Sequence, residues 1–557
     1  TRPSRASDRP LSMHKRGGGV FPKALSAAIG SPHSSILSSV AAKSIAPITL
    51  CFPENCVAKV NAPLAVKLRY AVNTADGNML DVGFTDGTAY RFHSTWLRGI
   101  IAGPASSASP TVTDARMANA TLGDGQGEVA VTWCKGVGET VSRSLFDANM
   151  LRAHAEHTAY DLGPPSIHQP IRGPAVWTGA TLSSSKWWNH HLSEAEIEDL
   201  ICTTEVAKNK IQWRAEGVPE PIDVADFPLS SSMSAKLAAI ADELEYGKGL
   251  TMIRNMPVDR MSEEDLAIMY VGLSAHLGHV VMQSSSGLRS VSRGYGMPLG
   301  RIQAEMTGET PKGGRQTNNH FRLHTDRCDV ISLMSLRTAP SGGASRVCSA
   351  PAVYNTLLER APELAEALTQ PIDRIWEGEH GFFRLPVVGL TPSGQYTTQI
   401  SPSYVENAQF LEHTSKATST QIAALDAIEE IGMELGAEFV MKPGMLYFLN
   451  NHQVYHGRGN WAVTKEEEAG LWGASGRLLY RTWISPYNSR PLPDTPEYRT
   501  IWGNVSGGAA RGGWDQAVKN GEVPKPKIPD NHVYYSLYSD RVQKLSMNGH
   551  CGVVLDY

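Results

Sequence analysis

His324-Thr325-Asp326 sets an imidazole and a carboxylate two residues apart, and a second histidine follows within Asn450-Asn451-His452-Gln453-Val454-Tyr455-His456-Gly457-Arg458. Two histidines and one carboxylate on one side of an ion leave adjacent coordination positions open, the arrangement of non-haem Fe(II) oxygenases. Either His452 or His456 stands at a workable distance for the third ligand, and spacing does not separate them. Arg477 and Arg481 lie four apart, hence on one face of a strand, together with Leu479 and Trp483. Leu and Trp mark that face as inward, where an unpaired charge is very costly, so both guanidiniums need anions. A guanidinium holds a carboxylate through two parallel hydrogen bonds, which fits the distal carboxylate of 2-oxoglutarate or the acid group of a substrate. Ser345 follows Ser341-Gly342-Gly343, a tight turn that would aim its hydroxyl at the same interior.

The His-x-acid triplet carries little weight alone. With 18 histidines, chance supplies about two such triplets, and the chain has a second, His154-Ala155-Glu156. That one reads as the polar face of a helix, with no downstream partner to complete it. His324 and Asp326 share a face only if a strand carries them, and Phe321 through Leu336 has the composition for one. Cys328 would fall on the same face and is expected to act as a small buried hydrophobe.

The elements that must position these groups follow from periodicity and punctuation. Strands are expected around 321–336, 344–350, 438–450 and 477–485, with Pro443-Gly444 as a turn before Met445–Leu449, and at Leu250–Arg254 between helices. Ser193-Glu194-Ala195-Glu196 and Ser262-Glu263-Glu264-Asp265 mark helix starts, and Val353–Leu368 and Thr420–Leu435 have helical apolar spacing. Strands gathered late, with helices before and among them, predict a mixed α/β chain whose mainly β core, a sandwich or barrel, is wrapped by helices. Upstream, residues 66–160 read as two similar units, each a strand pair and a helical start, with Asp86-Gly87 as a hairpin turn. The expected organisation is a targeting or disordered segment at 1–58, a small β-rich domain at 59–160, a Pro- and Gly-rich linker at 161–180, a catalytic domain at 181–540 and a tail at 541–557.

Composition bounds the function classes. A length of 557 residues with 41% hydrophobic content suits a folded multi-domain protein, and a net charge of −4 argues against a general nucleic-acid binder and favours a small-molecule substrate. Seven scattered cysteines without a Cys-x-x-Cys pair point to a reducing, intracellular compartment. No apolar run approaches the ~20 residues of a membrane-spanning helix. Residues 1–48 hold seven Lys/Arg against the single acid Asp8, the composition of a mitochondrial transit peptide or of a disordered tail, leaving mitochondrial and cytoplasmic sites both open. A homo-oligomer is compatible with all of this.

In order, His324-Thr325-Asp326, Pro340-Ser341-Gly342-Gly343-Ala344-Ser345, His456-Gly457-Arg458 and Arg477 with Arg481 resemble the motif series of the taurine dioxygenase family, over about 180 to 500. The closest likeness is to a subgroup marked by His-Thr-Asp-x-Cys-Asp, here ending Cys328-Asp329, with Asn450-Asn451-His452. The resemblance implies an Fe(II)/2-oxoglutarate-dependent oxygenase on a double-stranded β-helix, or jelly roll. It selects His456 over His452, so that His324, Asp326 and His456 would ligate Fe(II), Ser345 and Arg477 would hold 2-oxoglutarate, and Arg481 would contact a substrate acid group. His452 then goes to a structural hydrogen bond with the Asn450-Asn451 turn. Met445, where many relatives have Asp, and the insertion Thr464 to Ser475 depart from the pattern. The 66–160 region is similar to the amino-terminal domain of γ-butyrobetaine and trimethyllysine hydroxylases, through Phe92–Arg98 and Val131-Thr132-Trp133, but the zinc cysteines of that domain are missing after Arg98.

The expected reaction is oxidation of an aliphatic C–H of a small, acidic metabolite by O2 with 2-oxoglutarate as cosubstrate, ending in hydroxylation, desaturation or ring closure. Two alternatives stand beside it. One is a carnitine-pathway hydroxylase, whose trimethylammonium substrate would want an aromatic cage from Tyr295, Trp376, Phe382, Phe383 and Tyr404; the other is a non-catalytic ligand-binding barrel.

Overall fold

The computed structural model describes residues 67–555, apart from 74–76, 95–96, 98–115, 124–125, 136–138, 162–165, 185–187, 216–217, 284–297, 304–317, 376–380, 393, 466–475 and 514–538. The expectations made for 1–58, the stretch after Arg98, Tyr295, Trp376 and most of the 464–475 insertion lie outside the described residues. Among those that are described, no helix is long and apolar enough to cross a membrane.

Two small antiparallel sheets open the described chain. Strands β1 (Leu68–Asn73), β2 (Met79–Phe84) and β3 (Ala89–His93) form the first and β4 (Arg116–Leu122), β5 (Glu128–Lys135) and β6 (Glu139–Asp147) the second, so each unit has three strands where the sequence suggested a pair. Helix α1 (Ala148–Thr158) follows, and β7 (Ala159–Asp161) returns to the edge of the first sheet. Leu80, Val82, Phe92, Val131 and Trp133 share one core. Asp86-Gly87 is the turn between β2 and β3: Gly87 takes φ 88°, and the Asp86 carboxylate accepts the Thr88 N–H at 2.9 Å. His154 lies exposed on α1, with Leu151 and Ala155 buried behind it.

The larger body is a sandwich of two sheets. Its strands are β8 (Asn189–His191), β9 (Leu250–Arg254), β10 (Gly278–Val281), β11 (Gly300–Ile302), β12 (Phe321–His324), β13 (Val330–Arg337), β14 (Ser345–Ser349), β15 (Ala437–Phe439), β16 (Leu446–Asn450), β17 (Val454–Arg458), β18 (Leu478–Pro486) and β19 (Val553–Val554). The major sheet runs β10-β18-β13-β16-β9-β8 with β11 also on β18, and the minor sheet runs β12-β17-β14-β15-β19. From β11 to β18 the chain passes repeatedly from one sheet to the other, a jelly-roll arrangement. Alternation sorts β18 into two cores: Leu478, Tyr480 and Ile484 pack outward, and Leu479 and Trp483 face the sandwich interior with Leu333, Tyr447 and Phe439.

Helices cover both outer faces. On the major sheet lie α2 (Glu194–Lys208), α3 (Ser231–Tyr246) and α4 (Glu263–Leu277), with Ser193, Ser230 and Ser262 as N-caps. Helix α4 is buried nearly all round because it is packed between that sheet and the other helices. Its Tyr270 and Ser274 hydroxyls meet Ser332 and Thr482 at 2.6 and 2.8 Å, fixing the outer side of the two strands that carry Asp326 and Arg481 near or on their inner side. On the minor sheet lie α5 (Ala350–Arg360), α6 (Pro362–Thr369) and α7 (Ser419–Leu435). The single helix expected over 353–368 is two, because Pro362 excludes helical geometry at Ala361, which sits at φ −155°, ψ 73°.

The segment expected as a linker is stapled down. Asn355 on α5 accepts from Ile171 N–H at 2.7 Å and donates to its carbonyl at 2.8 Å, and the Tyr354 hydroxyl donates to the Ile167 carbonyl at 2.9 Å. A cavity remains at this seam, lined by residues that include Tyr70, Arg172, Glu245, Gln453 and Arg490.

Candidate metal centre

His324 ends β12 and pairs directly with His456 on β17 in the antiparallel ladder. Their ring centroids are 4.1 Å apart. Asp326 corrects the sequence reading: the strand stops at His324, and Asp326 lies on the crossover toward β13, not on a continuous strand from 321 to 336. The chain must change sheets here, so turning rather than alternation brings the carboxylate back. Asn451 shapes that turn, its Oδ1 accepting the Asp326 N–H at 2.9 Å and its Nδ2 donating to the Cys328 carbonyl at 2.9 Å. Cys328 is fully buried among apolar neighbours, as expected.

One ligand atom each from His324, Asp326 and His456 fall within 4.8 Å of one another. The Nδ1 of His324 is engaged with the Arg322 carbonyl at 2.9 Å, which leaves Nε2 facing the carboxylate, 3.9 Å from Asp326 Oδ1. The other carboxylate oxygen, Oδ2, accepts from Arg481 Nη1 at 2.9 Å and Trp483 Nε1 at 3.0 Å. His456 is buried, and its Nδ1 finds no hydrogen-bond partner. Burial holds both imidazoles below the usual histidine range, that of His456 well below, so each is neutral with a lone pair to give. Two neutral nitrogens and an ionised oxygen around one point suit a divalent cation such as Fe(II).

His452 does not compete for that point. Its Nε2 is bound to Asp329 Oδ1 at 2.7 Å and its Nδ1 to the Thr397 hydroxyl at 2.8 Å. Only its backbone N–H meets the turn, at Asn450 Oδ1, so the hydrogen bond expected there belongs to the main chain. Asp329 also accepts from Arg511 Nε, at 2.9 and 3.0 Å to its two oxygens.

Beside the triad lies a group of buried arginines, Arg458, Arg477 and Arg481. Gly342 and Gly343 both take left-handed φ, 75° and 72°, and a side chain on Gly343 would press on Trp461 and Arg477, 3.2 and 3.3 Å from its Cβ. The turn thereby delivers Ser345 to the start of β14, buried and paired in the ladder with Arg458. The Arg458 and Arg477 guanidiniums lie 4.3 and 4.8 Å from the Trp461 ring. Burial and the neighbouring Arg477 push Arg458 down to about 9. Arg481 donates from Nε to Gln283 at 2.6 Å as well as to Asp326, and its Nη2 is buried with no hydrogen-bond partner.

Sequence reasoning missed Asn451 as the brace of Asp326, missed Gln283 and Tyr447 within reach of the centre, and placed Trp483 beside Arg481 without giving it a role. Trp483 alone was legible, since it shares the inward face of Arg481; the others act across separations that periodicity does not register. Of the aromatics suggested for a cage, Phe383 belongs to a buried cluster with Leu492, Tyr498 and Trp502, and Tyr404 is exposed.

Residues 212–483 match the family model described as Taurine catabolism dioxygenase TauD, TfdA family. The chain is 27% identical over 341 residues to FR-33289 synthase of Streptomyces rubellomurinus, covering 59% of this chain and 94% of that protein. It is 24% identical over 309 residues to the taurine hydroxylase-like protein SAT17 of Stachybotrys chartarum, covering 52% and 74%. Among solved structures, asparagine oxygenase aligns at a TM-score of 0.40 and 14% identity over 58% of this chain and 99% of that one. The non-heme iron oxygenase OrfP in complex with Fe and alpha-ketoglutaric acid aligns at 0.40 and 17% over 58% and 99%. Residues 212–483 are thus similar to the TauD, TfdA dioxygenase family, and within them His324, Asp326 and His456 form a group that could hold a metal ion.

Proposed function

We propose that this domain, on a double-stranded β-helix within residues 181–540, oxidises an aliphatic C–H of a small acidic metabolite, with His324, Asp326 and His456 holding Fe(II). The observation that carries this reading is the convergence of those three ligand atoms within 4.8 Å beside the buried guanidiniums of Arg458 and Arg481. Iron held by these three residues would supply, with 2-oxoglutarate and O2, the oxidising power for this reaction, with succinate and CO2 as co-products.

The protein's part is placement and exclusion of water. Ser345 and Arg477, a buried hydroxyl and a buried guanidinium, hold the distal carboxylate of the cosubstrate. Arg481 performs two tasks. Its Nη1, with Trp483, fixes one oxygen of Asp326, so that the other is presented to the cation, and its Nη2 is the donor offered to a substrate acid group. A trimethylammonium substrate finds no support in the placement of Phe383 and Tyr404.

Anaerobic addition of Fe(II) and 2-oxoglutarate is expected to produce a weak visible charge-transfer band that vanishes in Asp326→Ala. Absence of the band in the wild type rejects the reading and leaves a ligand-binding barrel. Screening metabolites for succinate release coupled to their consumption then identifies the substrate, and Arg481→Gln is expected to raise its KM if the acid group is bound there.

A further inference from the structure

We propose that Tyr447 completes the cosubstrate subsite as a positioning residue, its hydroxyl holding the Ser345 hydroxyl toward the distal carboxylate of 2-oxoglutarate. This rests on the roles of Ser345 and Arg477 given above. Tyr447 lies on β16 in a row with Leu333 and Arg481, neighbours across the major sheet. Its ring meets Phe439 edge-on, centroids 5.8 Å apart at 81°, and Phe439 is the ladder partner of Ser345 in the minor sheet. The side chain therefore crosses the sandwich from one sheet to the other. Cross-strand partners set their side chains on one face, so a ring packed on Phe439 brings its hydroxyl beside the Ser345 side chain, within electrostatic reach of Arg477, Arg481 and Asp326. The residue is 1% exposed, so this contact is made out of water.

The choice of partner is informative. A serine hydroxyl has one proton and two lone pairs. With Tyr447 donating to Ser345 Oγ, the serine proton is left for an anion, and the two O–H groups form a chain that ends on the carboxylate beside Arg477. Phenylalanine at 447 keeps the packing on Phe439 but leaves the serine hydroxyl free to rotate, so it gives up the orientation of one donor. That loss falls on the distal carboxylate alone; the end of the cosubstrate that chelates the cation is untouched.

The test uses the full chain loaded with Mn(II) in place of iron and measures binding calorimetrically for two ligands. 2-Oxoglutarate has the distal carboxylate, and oxalate chelates the metal without one. Tyr447→Phe is expected to raise the Kd for 2-oxoglutarate about five- to tenfold, the range of one neutral hydrogen bond. The Kd for oxalate is expected to stay at the wild-type value, which also reports an intact fold and metal centre. In a Ser345→Ala background the tyrosine substitution should add nothing further. A 2-oxoglutarate Kd within twofold of wild type, equal losses for both ligands, or full additivity with Ser345→Ala would each overturn the assignment of Tyr447 alone. Failure of the Mn(II) wild type to bind 2-oxoglutarate would remove the functional reading beneath it as well.

Discussion

Two histidine–aspartate constellations sit a few residues apart in this chain, and they have been finished differently. In one, Asp329 receives Arg511 and His452, and His452 spends both ring nitrogens, on Asp329 and Thr397. In the other, Asp326 turns one oxygen to Arg481 and Trp483, its second oxygen faces the two imidazoles, and His456 retains a nitrogen without a partner. Residue types are the same and burial is similar. What separates a structural brace from a candidate ligand set is the valence left over after the protein's own hydrogen bonds are made.

The comparison breaks first at Asp329. Removing it in Asp329→Ala leaves the buried Arg511 without its counter-ion and is expected to cost about 3–5 kcal/mol of unfolding free energy, read by urea denaturation of the metal-free protein. A variant as stable as wild type would erase the distinction drawn between the two aspartates. Acid comes next. Burial depresses His452 to about 4, so between the ordinary histidine value and that point the unfolded chain takes a proton that the native ring refuses. Its contribution is intact above pH ~6.5 and falls away by about 3 kcal/mol as the pH drops to ~4. For Asp329 burial works upward but Arg511 and His452 outweigh it and hold the carboxyl to about 2, so its contribution fades only in stronger acid. Unfolding at pH 7, 5.5 and 4.5 measures the slope, and His452→Gln should flatten it.

A smaller effect sharpens the ligand side. Asn451→Ala removes the brace from the Asp326 backbone and is expected to weaken divalent-metal affinity about 10–100-fold, by Co(II) titration, while the fold persists. Unchanged affinity would mean that Arg481 and Trp483 suffice to place the carboxylate. The smallest effect belongs to the other His-x-acid triplet: His154→Ala on the exposed face of α1 should move stability by no more than about 0.5 kcal/mol and leave metal binding alone.

Much of this arrangement is legible in the sequence. The order of His324, the Gly342-Gly343 turn, His456, Arg477 and Arg481 placed the candidate groups, and period-two alternation put Arg481, Leu479 and Trp483 on one inward face. The capped starts at Ser193 and Ser262 and the strand Leu250–Arg254 were equally plain, because each is decided by neighbours in sequence. Other features were opaque for a physical reason. Asn451 meets Asp326 across 125 residues, Gln283 meets Arg481 across 198, and Tyr447 reaches Ser345 only because the two sheets face each other. The strand end at His324 escaped notice because apolar composition continues through the crossover, and the break at Pro362 was overrun by helical spacing that continues on both sides of it.

The direct pairing of His324 with His456 has one more consequence. Because both imidazoles come from one ladder, the distance between them is inherited from strand registry rather than from flexible side chains. Sliding β12 by a single residue along β17 would turn its histidine to the opposite face of the sheet. A chain mispaired in that way could keep the outline of the sandwich and yet have no affinity for a cation. If these residues hold a cation, its uptake would report correct pairing of the two strands.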